Sequence, residues 1–115
     1  MKKTLVVVLS PKAEEVYNYL KKESLHSKKE KQILDSITKK IELIKENPQY
    51  GIKVPHSLFP KDYIDTYNIS NLFRVELPLY WRMLYTLTDS NEIEIVAFIL
   101  DIIDHNEYNK KFKYK

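Results

Sequence analysis

The sequence predicts an α+β fold, and three observations lead there. A β-branched apolar run, Leu5–Leu9, ends at a Ser-Pro helix start, two amphipathic stretches follow, and three strand-like runs with short turns come next. The predicted order is β-α-α-β-β-β: an antiparallel sheet with a two-helix hairpin on one face and a short C-terminal helix. The first strand adds to this sheet. At 115 residues the chain suits one domain, residues 1–115, able to bury a single core without staples.

Each element has its own signal. Leu5–Leu9 reads as a buried strand. Ser10 is an N-cap with Pro11 at the first helical position, and Glu14 and Glu15 complement the positive end of the helix dipole. Ala13, Val16, Tyr17 and Leu20 then share one face. Ser27 with Glu30 forms a capping box that opens a longer helix, along which Leu34, Ile37, Ile41 and Ile44 make a stripe. That helix ends near Asn47, because Pro48 disfavours helical geometry in the residue before it. The few residues around Leu25 and His26 make the two helices an antiparallel hairpin.

Gln49–Tyr67 holds the only glycine, Gly51, together with Pro55 and Pro60, and reads as an irregular connection. Runs 67–77, 80–88 and 92–100 read as a three-strand meander, with Asp89, Ser90 and Asn91 as its second turn. Along the middle strand, Trp81, Met83, Tyr85 and Leu87 alternate and should face the helices, leaving Tyr80 and Arg82 on the open face. The last strand is apolar on both sides from Ile95, which suits a central strand or one covered by a partner. Asp104 with Glu107 caps a final helix running to about Phe112.

Composition narrows the function. With no cysteine there is no disulfide, thiolate metal site or cysteine nucleophile, and the setting expected is cytoplasmic. No apolar run is long enough for a membrane span. A single glycine excludes the glycine-rich loops that cradle nucleotide phosphates, so no nucleotide cofactor is expected. His26, His56 and His105 lie in separate segments, and Asp101, Asp104 and His105 are only a weak metal set, so no metal is expected either. Charge is uneven. Residues 1–61 carry thirteen lysines against seven acids, and residues 62–115 carry six basic side chains against nine acids. The acidic half still ends in Lys110, Lys111, Lys113 and Lys115. Such lysines either solubilise helix faces or form a surface for nucleic acid.

Against seventeen lysines the chain has two arginines, Arg74 and Arg82. A three-residue loop Leu77–Leu79 would pair Glu76 with Tyr80, Val75 with Trp81 and Arg74 with Arg82, placing two guanidiniums side by side on one face. Like charges opposite each other across strands repel, so the pair implies either a missing anion, for which the planar fork of arginine fits phosphate, or a salt bridge with Glu76 or a neighbouring acid. A loop of two or four residues would separate them to opposite faces. Near them are Tyr80, Trp81, Tyr85 and Tyr108, and arginine with aromatic rings on a sheet suits single-stranded RNA. His105 and Tyr108 fall on neighbouring positions of the final helix. Either they join the arginines in one cleft, or His105 faces solvent and Tyr108 packs on the core. RNA scission by its own 2′-hydroxyl needs proton transfer, suited to histidine, and charge stabilisation, suited to arginine.

Several segments carry a further likeness: Leu9-Ser10-Pro11 leading into Ala13 and Glu14, Asn47-Pro48-Gln49-Tyr50-Gly51, Phe73-Arg74-Val75, Trp81-Arg82-Met83-Leu84-Tyr85, and Asp104-His105 with Tyr108. Their order over nearly the whole chain resembles the RelE/ParE family of toxins from type II toxin–antitoxin systems. The resemblance implies a small cytoplasmic protein wrapped by a cognate antitoxin. RelE-type members cleave messenger RNA on the ribosome without metal, whereas ParE-type members inhibit DNA gyrase. Carried over by position, Arg74 and Arg82 hold the scissile phosphate, and His105 or Tyr108 handles the proton. Lys53 and Lys61, with Tyr80, contact the RNA. Where RelE-type nucleases often have a second arginine two residues after the first, this chain has Glu76. The hairpin is one residue longer, and the usual spacing from histidine to tyrosine is not kept. A non-catalytic binder, or an inactive homologue retained for operon autoregulation with a DNA-binding antitoxin, is the alternative.

Overall fold

Ser10 shows how the local signals assemble the molecule. Its hydroxyl accepts from the Ala13 N–H at 3.0 Å, capping the first helix, and donates to the Leu100 carbonyl at 2.7 Å. The Ser10 N–H donates to the Ile99 carbonyl at 2.9 Å. One fully buried serine thus joins the end of the first strand, the start of the first helix and the last strand. The computed structural model describes residues 4–91 and 94–112.

Among the described residues the order is β1 (Thr4–Leu9), α1 (Pro11–Glu23), α2 (Lys28–Glu46), β2 (Ile52–Lys53), α3 (Lys61–Tyr67), β3 (Phe73–Glu76), β4 (Arg82–Asn91), β5 (Glu94–Ile103) and α4 (His105–Phe112). The α+β class is as expected. The sheet, however, is mixed rather than antiparallel. Its strand order is β1-β5-β4-β3-β2, and β1 runs parallel to β5 with Leu5 opposite Ile95 and Leu9 opposite Ile99. Hairpin turns dictate direction only within β3-β4-β5. No hairpin joins β1 to its neighbour, and the long connection that a parallel pair requires is supplied by the rest of the chain.

Both helix starts form as expected. Ser27 caps α2, and its hydroxyl donates to the Glu30 carboxylate at 2.8 Å. Ala13, Leu20, Ile33, Ile37 and Ile44 pack against Phe73, Val75, Met83, Tyr85, Ala97 and Ile99, with Trp81 and Leu87 at the margin. The alternation along β4 therefore points where predicted. Each fully buried leucine or isoleucine in this layer contributes about 1.5–3 kcal/mol.

The other face is not open. Tyr63 of α3 and Tyr108 and Phe112 of α4 cover it, packing on Leu72, Leu84, Leu100 and Ile103. β5 is accordingly buried on both sides, as a central strand should be. The connection 49–67 is not irregular throughout, since it contains β2 and α3. Pro60 precedes α3 without any side-chain cap, and Asn68 ends it in the left-handed region at φ 50°, a conformation asparagine tolerates. β3 is shorter than the run 67–77. Asn71 replaces the ladder with its side chain, accepting from the Leu87 N–H at 2.7 Å and donating to the Leu87 carbonyl at 2.9 Å. Asp89 and Asn91 belong to β4, at a bulge, rather than to a turn. α4 begins under the Asp104 cap, whose carboxylate accepts from the Glu107 N–H at 2.9 Å. Lys113 and Lys115 of the basic tail lie outside the described residues. No helix among the described residues is long and apolar enough to cross a membrane.

Gly51 is the tightest point of the edge. Its N–H donates to the Tyr85 hydroxyl at 3.0 Å, and that hydroxyl donates to the Pro48 carbonyl at 2.7 Å. A Cβ on Gly51 would meet the Arg74 carbonyl oxygen and Tyr85 Cε1, each at 3.0 Å, and Phe73 Cβ at 3.1 Å. Neither a strand carbonyl nor a fully buried ring can yield easily. Gly51→Ala should therefore destabilise the domain by about 1–3 kcal/mol in denaturant titration.

Candidate functional site

The loop between β3 and β4 decides where the arginines go. It has three residues, as expected, but they are Pro78, Leu79 and Tyr80 rather than Leu77–Leu79. Leu77 stays extended and its N–H donates to the Trp81 carbonyl at 2.9 Å. Proline's fixed φ and missing donor suit the first loop position. The pairing then moves along the chain: Glu76 opposes Arg82 and Arg74 opposes Leu84, so Arg74 and Arg82 are diagonal neighbours and not direct partners. An odd loop length preserves parity, and both arginines still share one face. The direct repulsive pair is thus replaced by a favourable opposite-charge pair, with Glu76 between the two cations.

Glu76 touches both. Its Oε1 lies 2.9 Å from Arg74 Nε and its Oε2 lies 3.5 Å from Arg82 Nε. The Glu76 side chain is 51% exposed, against 24% for Arg74 and 16% for Arg82. Behind the arginines stands α4. β5 ends at Ile103, the cross-strand partner of Arg82, and the helix that follows brings Tyr108 under the pair. Arg74 donates to the Tyr108 hydroxyl at 3.0 Å, the Arg82 guanidinium lies 4.5 Å from the Tyr108 ring centre, and Arg82 donates to the Tyr80 carbonyl at 2.8 Å. These contacts hold both forks by cation–π attraction and hydrogen bonds.

Tyr108 itself is only 2% exposed and stacks on Phe112. It thus meets the arginines and packs on the core at once, a position from which it orients cations rather than touches a ligand. His105 is exposed at the start of α4. Its ring lies 5.9 Å from that of Tyr80, and its Nε2 is 3.1 Å from Asn109 Nδ2. Tyr80 is strongly exposed because Leu79 and Tyr80 both adopt positive φ, 60° and 64°, a costly conformation for residues with side chains. The tip of the loop is thereby held over His105, with Lys29, Asp104 and Asn106 lining the same hollow.

The two lysines are elsewhere. Lys53 opposes Phe73, whose ring lies in the α1–α2 layer, so the register puts Lys53 on the side of the sheet away from the arginines. Lys61, at the start of α3, lines a separate cleft with Lys111 and Phe112. Asp101, Asp104 and His105 do not converge, since Asp101 faces Tyr63 and Lys111 while Asp104 caps α4.

Two groups of residues escaped the sequence reading. Lys40, Tyr50 and Ile52 form, with Arg74 and Glu76, a cleft of about 220 Å³ where β2 stops short of covering β3. Lys40 donates to the Tyr50 hydroxyl at 3.1 Å. Under the second face, Tyr63 donates to Asp101 at 2.6 Å, and Lys111 reaches both Asp62 and Asp101. Burial first, and then the Asp101 charge, push the Tyr63 phenol far above its ordinary value. Burial also raises Tyr85, an effect opposed by the Gly51 N–H. Helical periodicity in 61–67 was the one signal that could have found α3. No family model matches the chain, and neither a curated protein nor a solved structure is significantly similar to it.

Proposed function

We propose that the chain is the toxin of a type II toxin–antitoxin module of the RelE/ParE kind, acting as a ribosome-dependent messenger RNA endoribonuclease. The observation that carries this reading is the convergence of Arg74, Arg82 and Tyr108 from three elements on one face, with the Tyr80 carbonyl on Arg82 and His105 next to the Tyr80 ring. The residue segments that resemble the family, and the helical hairpin on one side of the sheet with a C-terminal helix on the other, support the same assignment by analogy.

In this reading the two guanidiniums bind the scissile phosphate and stabilise charge building on it as the 2′-oxygen attacks, so that the protein supplies the positive charge without a metal ion. Tyr108 positions them. His105 exchanges the proton, and Tyr80 offers an exposed ring for an unpaired base. The cognate antitoxin silences the site by binding the toxin, and the setting is the cytoplasm.

Glu76 favours one second reading. A carboxylate between the arginines neutralises half of their charge, as suits a non-catalytic binder that inhibits DNA gyrase or only engages an antitoxin. Mapping messenger RNA 5′ ends after brief expression separates the two. The expected result is growth arrest with cuts positioned by codon, relieved by the protein encoded next door. Arrest without such cuts, accompanied by loss of DNA supercoiling, would assign the gyrase reading, and no arrest at all would assign an inactive homologue.

A further inference from the structure

The arginines and the carboxylate between them are held in different ways. Arg82 rests on the Tyr108 ring and the Tyr80 carbonyl, and Arg74 on the Tyr108 hydroxyl, contacts in which Glu76 takes no part. Both guanidiniums are mostly covered, whereas Glu76 is half exposed at the last position of β3. Its two oxygens go to two different arginines, the arrangement that two non-bridging oxygens of a phosphodiester would adopt. An ion pair through so exposed a carboxylate has little net worth. Beside it opens the cleft lined by Lys40, Tyr50 and Ile52, which gives the side chain room to move and offers a third cation, Lys40.

We propose that Glu76 is an internal competitor for the arginine pair: it fills the anion position in the free protein and swings aside when a phosphodiester takes its place. This rests on the reading that the site receives RNA, and it adds the gate that site carries. The platform stays in place when the gate opens, because Tyr108 and the loop hold it. Removing the carboxylate charge should therefore strengthen anion binding by about tenfold, because the anion then has no carboxylate to displace and no like charge near it once bound.

The test uses the full chain labelled with ¹⁵N. Arginine Nε–Hε resonances are followed by NMR during titration with inorganic phosphate, and then with a single-stranded RNA tetranucleotide made uncleavable by 2′-O-methylation. In the wild type both arginine signals should move at high ligand concentration. In Glu76→Gln half-saturation should come about tenfold earlier, in Glu76→Asp, too short to span both forks, at an intermediate concentration, and in Glu76→Gln/Arg82→Ala not at all. Equal affinity in the wild type and Glu76→Gln, or arginine signals that stay still, overturns the proposal. A proton-acceptor role for Glu76 predicts a different pattern, with unchanged binding and lost cleavage in Glu76→Gln. Codon-positioned cuts in cells are scored separately. Tighter phosphate binding in a protein that makes no cuts upholds the gate while removing the nuclease reading.

Discussion

Under the proposed nuclease function, Arg82→Ala should abolish growth arrest and messenger RNA cleavage, lowering the cleavage rate by at least about 10²–10³-fold, the range for removing one group that stabilises transition-state charge. The fold should survive. Arg82 opens β4, its side chain lies at the rim of the second face, and what it leaves behind is the flat side of Tyr108 and a carboxylate that still has Arg74. The stability loss should be about 1 kcal/mol, the scale of one exposed ion pair and one cation–π contact. Arg82→Lys should not rescue. A compact ammonium cannot at once donate to the Tyr80 carbonyl, face Glu76 and lie flat over the Tyr108 ring, as the planar guanidinium does. Circular dichroism with in vitro translation assays of purified protein checks both halves. Full activity in a folded Arg82→Ala protein would overturn the nuclease assignment.

That the arginines share a face was legible in the sequence; how they share it was not. Parity along two strands depends only on whether the loop is odd or even, so a one-residue displacement of the loop left the shared face intact while moving every cross-strand partner. The displacement matters chemically, because it takes Glu76 from beside Tyr80 to directly opposite Arg82. Helix starts were legible because each is a local bargain between a side chain and a nearby backbone N–H, as at Ser10, Ser27 and Asp104. α3 was hidden for the converse reason. It is one short helix between Pro60 and Asn68 with no side-chain cap, stabilised by Tyr63 reaching across to β5. The direction of β1 was hidden too, because its partner lies ninety residues away in the chain and no turn joins them.

The largest loss of stability should come from Asp101→Ala. Asp101 is 3% exposed, accepts from the Tyr63 hydroxyl at 2.6 Å and lies 3.6 Å from Lys111 Nζ, so the substitution strands a buried phenol and leaves the Lys111 ammonium with the half-exposed Asp62 alone. Removing one partner of a buried pair costs about 3–5 kcal/mol, a large share of the roughly 5–15 kcal/mol that holds a domain together. Tm should fall by roughly 10–20 °C. Asp101→Asn keeps an acceptor and should cost less. Asp101→Leu combined with Lys111→Met removes both charges, and should be less damaging than Asp101→Ala alone. The same cluster sets an alkaline limit. Unfolded, the Tyr63 phenol releases its proton near its ordinary value of 10.0; folded, burial and the Asp101 charge hold the proton to much higher pH. Above pH 10 the unfolded chain loses a proton that the folded one retains, so each further rise favours unfolding; below pH 10 the contribution is complete. Tyr63→Phe should therefore be less stable than the wild type at pH 8 but lose less on going to pH 11, a comparison that cancels every effect of pH common to both proteins. A parallel decline in both proteins would count against a buried, proton-retaining Tyr63. The cluster also bears on the site, because Lys111 and Tyr108 lie on the same helix: loosening the Lys111 end of α4 should weaken the platform under Arg82, and Asp101→Ala at temperatures where it remains folded should show reduced activity with normal exposure of its arginines.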